Sequence, residues 1–139
     1  MSRVDVGQWA DTLIVRYAGH DVIGNALFPI TRPSDLSAPL EIEMHPLDRH
    51  PVDFLPGFRP PPSCVALGLV SAGWAAPMGS RVRPSAHPDA RRVLQAVVVT
   101  PEGDVGARVR LPDGSVIDPG PLHGRVLDAL RAALRRPAA

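Results

Sequence analysis

The apolar positions of this chain follow two different periods, and each marks a different kind of element. Val6, Trp9, Ala10, Leu13, Ile14 and Tyr17 recur at the spacing of one helical face. Asp5 stands at the N-cap position, Gln8 three residues later completes a capping-box pattern, and Gly19 offers a left-handed stop. A helix over 6–17 is predicted. Gly7 in its first turn costs up to about 1 kcal/mol relative to alanine. A second helical face, Leu122, Val126, Leu127, Leu130 and Leu134, closes the chain, with Arg125, Asp128, Arg131 and Arg135 on its outer side. Arg135 and Arg136 at its end suit the helix dipole.

Between the helices the period falls to two. In 64–75, Val65, Leu67 and Leu69 point one way and Ala66, Gly68 and Val70 the other, so both faces are apolar and a central strand is predicted. Gly68 and Gly73 point to a bulge or a close approach of another chain segment. Val93, Val97, Val98 and Val99 lead into the turn Pro101, Glu102, Gly103, Asp104. Val105, Ala107, Val109 and Leu111 then alternate with Gly106, Arg108 and Arg110, the pattern of a strand with one wet face. Pro112, Asp113 and Gly114 turn the chain again, and Val116 and Ile117 begin a return.

Two stretches are harder. In 20–63, Val22, Ile23, Leu27, Phe28 and Ile30 suit a short strand or one helical turn, and Leu40, Ile42 and Met44 suit a strand with these three inward. Prolines 46, 51, 56, 60, 61 and 62 then remove backbone donors, which predicts an ordered surface loop rather than sheet. Residues 76–90 are polar and without period, as in a flexible segment or lid.

These elements predict a single α+β domain over 1–139. Its antiparallel sheet has four to five strands, a β-meander packed against N- and C-terminal helices on one face, with a proline-rich surface loop near 45–63. The order of elements is similar to sensor and scaffold modules of the PAS, profilin or roadblock type, an analogy of fold that carries little about function.

Composition adds limits. All fifteen basic residues are arginine, against fourteen acids, for a net charge of +1. A GC-rich genome accounts for the missing lysine more simply than selection for guanidinium chemistry, because the bias runs through the whole chain. Residues 80–139 hold ten arginines against six acids, so the second half is mildly basic. Cys64 is the single cysteine, which excludes an internal disulfide. No apolar run approaches the roughly 20 residues of a membrane span, and the first residues lack a secretory pattern. A cytoplasmic setting without a membrane partner is expected.

Candidate chemistry is sparse. His45, Asp48, His50 and Asp53 form the densest set of nitrogen and oxygen ligands, in a proline-rich segment rather than on one helical face. His87 and Asp89 would complete an acid–base site if the two loops, 45–53 and 81–89, converge, as in a small metal-dependent or His/Asp hydrolase. Turns and caps are the plainer use of all six residues. Arg81, Arg83, Arg91, Arg92, Arg108 and Arg110 offer an anion-binding patch for phosphate, a nucleotide or an acidic protein. No aromatic residues interleave with them, which argues against nucleic acid. Cys64, before a buried strand, reads as a small apolar residue rather than a nucleophile. Phe54, Phe58 and Trp74 serve either as anchors or as a contact surface. No cofactor motif is present, and none is expected.

Five segments resemble, as a set, small uncharacterised proteins of actinobacteria: HPLDRHPVDFLPGF (45–58), PPSCVALGLVSAGWAAPM (61–78), HPDARRV (87–93), VVVTPEGDVGARVRLPDG (97–114) and HGRVLDALRAAL (123–134). The resemblance implies an actinobacterial source and a cytoplasmic setting, and supplies no catalytic residue. The functional expectation is therefore a non-enzymatic binding or regulatory module that acts through protein–protein contact, as a homodimer.

Overall fold

In the computed structural model, which describes residues 4–17, 25–75, 91–120 and 124–135, an N-terminal and a C-terminal helix pack on one antiparallel sheet, and a short third helix lies against the C-terminal one. At 17, 73–75, 91 and 92 only the backbone is described. The elements are α1 (Val6–Tyr17), β1 (Asn25–Thr31), β2 (Glu41–Ile42), β3 (His45–Leu47), α2 (Pro51–Phe54) with a 3-10 turn (Leu55–Gly57), β4 (Cys64–Ala75), β5 (Arg91–Val99), β6 (Val105–Arg110), β7 (Val116–Ile117) and α3 (Arg125–Arg135). The sheet runs β2-β1-β4-β5-β6-β7, with β3 also on β1, making seven strands where four to five were expected. Among the described residues no helix is long and apolar enough to cross a membrane.

Alternation along the inner strands divides the core. Ala26, Phe28 and Ile30, Ala66 and Val70, and Ala96 and Val98 face α1, where they bury Ala10, Leu13 and Ile14. The intervening Leu27, Leu67, Leu69, Val97, Val99 and Ala107 bury Leu127, Leu130 and Ala133 of α3. The two terminal helices therefore cover opposite faces, not one. The cause is that β1, β4 and β5 are apolar on both sides, so each face needs its own cover. Phe54 and Phe58, 5.9 Å apart between ring centres, pack on the α3 side and are anchors.

Proline decides where the outer strand breaks. The pairs Ile30–Ile42 and Leu27–His45 lie in one common register, so β2 and β3 are two parts of one edge strand. The Glu43 N–H donates to the Pro29 carbonyl at 3.2 Å, but Pro29 has no N–H to return. The ladder loses a rung there and the strand divides. Pro46, opposite Ala26, sits where the ladder asks no donor of it. The expected loop thus begins as an edge strand and continues as a helix. Leu40 and Ile42 pack on the core as expected, whereas Met44, at the break, is 58% exposed.

Close approach fixes α1. A Cβ on Gly106 would lie 2.5 Å from the Val6 carbonyl carbon and 2.7 Å from the Gly7 nitrogen, so the helix start rests directly on β6. Gly68, a bulge or close-approach position by sequence, gives room to Leu13, whose Cδ1 would lie 2.7 Å from an added Cβ. Gly106→Ala meets backbone that cannot swing aside and should cost about 1–3 kcal/mol in urea unfolding. Gly57→Ala, with nothing within 4 Å, should be neutral or slightly stabilising in the same measurement.

Candidate functional site

Arg108 of β6 is tied down on three sides. Arg108 lies on the α1 face, opposite Ala96. Its Nε is 2.9 Å from Asp11 Oδ1 of α1, and its Nη1 is 3.5 Å from Asp118 Oδ2 beyond β7. Nη1 also donates to the Ala107 carbonyl at 2.7 Å. The side chain is only 22% exposed, so the wet face expected of β6 is instead the floor under the start of α1. A groove of about 480 Å³ runs beside it, between Gly7, β6 and Gly120. An anion there would meet one guanidinium and two carboxylates, and the α1 start is already capped by Asp5, which accepts from the Gln8 N–H at 3.1 Å. Arg110 is half-buried on the same face, opposite Leu94 and Val116. Arg91 and Arg92 pair through their backbones with Ala75 and Trp74, and Arg81 and Arg83 lie outside the described residues.

The histidine-bearing segment has other work. His50 is the N-cap of α2, its Nδ1 accepting from the Val52 N–H at 3.1 Å, with Pro51 at the first helical position. His45 Nε2 lies 3.1 Å from Glu43 Oε2, and Asp48 accepts from Arg49 Nε at 3.1 Å. Asp53 is exposed in the first turn of α2. Among the described residues no three His, Cys, Asp or Glu side chains gather as a metal-binding group. His87 and Asp89 lie outside the described residues, as does any convergence of the two loops.

Cys64 begins β4 beside an irregularity in its pairing with β1. Its thiol donates to the Ala66 carbonyl at 3.1 Å, and burial pushes its pKa upward against weaker opposing backbone hydrogen bonds. Such a thiol is a poor nucleophile at neutral pH. Asp35 and Asp113 have carboxyls held below the usual range by Ser37 and Ser115, and both are exposed turn residues.

Two further features are not evident from the sequence alone. One is a cavity of about 270 Å³ on the α3 face, floored by the β4–β5 pair Ser71 and Gln95. The available signal was that Ser71 and Gln95 interrupt apolar strands at positions the register brings together. The other is the outer edge of β7, where Val116 and Ile117 are 42% and 44% exposed. Comparison with protein-family models, curated proteins and solved structures finds no match.

Removing the Arg108 clamp should register in stability. Arg108→Ala should cost about 1–3 kcal/mol and Asp11→Asn about 0.5–1 kcal/mol, with a double-mutant coupling near 0.5 kcal/mol in urea unfolding. The Cys64 thiol should react slowly with a disulfide reagent in the folded protein and fast after unfolding. Its folded pKa is raised, so its contribution to stability is complete below the ordinary thiol value of about 8.5 and is lost as pH rises above it. The fall in Tm over that alkaline window should be smaller in Cys64→Val.

Proposed function

We propose that the protein is a non-enzymatic binding module that acts through protein–protein contact, in a cytoplasmic setting, by joining a second copy of itself along β7. The observation that carries this reading is the contrast between the two edges of the sheet. The β2–β3 edge carries exposed Glu41, Glu43, His45 and Pro46, the charge and proline that keep an edge from pairing. The β7 edge carries Val116 and Ile117, β-branched and uncharged.

The backbone of β7 suits such pairing. Leu111 N–H donates to the Ser115 carbonyl, so Ser115 and Ile117 face β6 and the Val116 N–H and carbonyl face away from it. An antiparallel two-fold contact would pair Val116 with the same residue of the second copy, exchanging both hydrogen bonds. The commitment of Arg108, His50 and Cys64 to structural contacts supports a binding role over catalysis. β7 has only two residues, so the contact is small and belongs with weak, concentration-dependent interfaces.

Sedimentation velocity tests this. The protein should pass from monomer to dimer with a dissociation constant on the order of 100 μM. Val116→Pro removes the outward N–H without touching the ladder to β6, and should abolish dimerisation with little change in Tm. Ile117→Glu should weaken it at least about tenfold. A protein that stays monomeric to about 1 mM, or variants that associate like the parent, would overturn the reading.

A further inference from the structure

The sheet face beneath α3 is apolar at Leu27, Leu67, Leu69, Val97, Val99 and Ala107. Ser71 on β4 and Gln95 on β5 break that pattern, and they do so directly opposite each other. Both are half-buried. They lie under the first turn of α3, where the helix and sheet flank a partly open space of about 270 Å³. The pair is out of place as plain core: its hydroxyl and amide, half-open to solvent, take hydrogen-bond partners from water or from a ligand. It is favourable as the floor of a site, since ligand pockets are mostly apolar with a few placed polar groups.

The surrounding residues define what would fit. Val97, Leu127 and Leu130 make apolar walls, and Arg125 lines the same space with a permanent positive charge. The Gln95 amide and Ser71 hydroxyl can both donate. The arrangement therefore selects an apolar body with one anionic, hydrogen-bond-accepting head. Among the described residues that line the space Arg125 is the one guanidinium, and beside apolar walls it matches a monoanion better than a phosphate dianion, which needs more donors to replace its water. Benzene fills a cavity of about 150 Å³, so this space takes on the order of ten non-hydrogen atoms.

We propose that this cavity binds a small monocarboxylate with an aliphatic or aromatic body, its head toward Arg125, Gln95 and Ser71 and its body against Val97, Leu127 and Leu130. The site lies on β4 and β5, two strands from β7, and does not depend on pairing along that edge.

Hexanoate, hexanol and inorganic phosphate are the probes, followed by amide chemical shifts of the full chain. Hexanoate should give saturable shifts at 69–71, 95–97 and 125–127 with a dissociation constant on the order of 1 mM. Hexanol and phosphate should each bind at least about tenfold more weakly. Arg125→Ala and Gln95→Leu should each weaken hexanoate about tenfold, and Ser71→Leu, which fills the floor, should abolish binding. Arg125 is exposed, so its variant keeps the test valid if a sheet variant fails to fold. The proposal is overturned if the folded parent gives no saturable shift, if phosphate or hexanol equals hexanoate, or if Arg125→Ala binds hexanoate unchanged.

Discussion

The structure depends on the two-sided burial of β1, β4 and β5. Each contributes two apolar sets, one per face, and antiparallel register aligns these sets across neighbouring strands. Ala26, Val70 and Ala96 fall in one row, and Leu27, Leu69 and Val97 in the next. A sheet of this kind cannot leave either face to water. Burying a leucine or valine side chain is worth about 1.5–3 kcal/mol, and each face holds several. Helices at both ends of the chain are therefore needed, one for each side.

The other features follow from seating those helices. α1 comes so near β6 that only glycine fits at 106, and the same approach draws Arg108 into contact with Asp11. On the opposite side α3 covers the sheet closely from Leu127 to Ala133, but its first turn stands above Ser71 and Gln95 and leaves a cavity. The margins are asymmetric. Pro29 divides the outer strand on one side, which also bears acids, while the other side ends in two apolar residues. The readings proposed for β7 and for the cavity both begin where this two-sided packing stops.

Much of the fold was legible because period alone determines it. The limits of α1, β4, β6 and β7 follow the pattern of apolar residues closely, and Asp5 caps α1 as its position implied. The face each helix covers was less legible, since period 2 tells which residues share a face but not which helix meets it. Proline obscures the strand at 45–47, because a residue that cannot donate can still sit on a sheet edge. Pro46 shows that an edge strand accepts proline when its missing N–H would point outward. Arg108 is obscured in a similar way. Charge suggested water, whereas Asp11 and Asp118 are brought to it by tertiary structure that no local pattern contains. Ser71 and Gln95 are ordinary residues until register sets them side by side.

Methyl-to-methyl nuclear Overhauser effects test the two-faced core most directly. Leu13 should show contacts to Val98 and Val70, and Leu130 to Val97 and Leu67, with no proton near both helices. Cross-peaks from Leu13 and Leu130 to the same set of β5 valines would place the helices on one face and contradict the account.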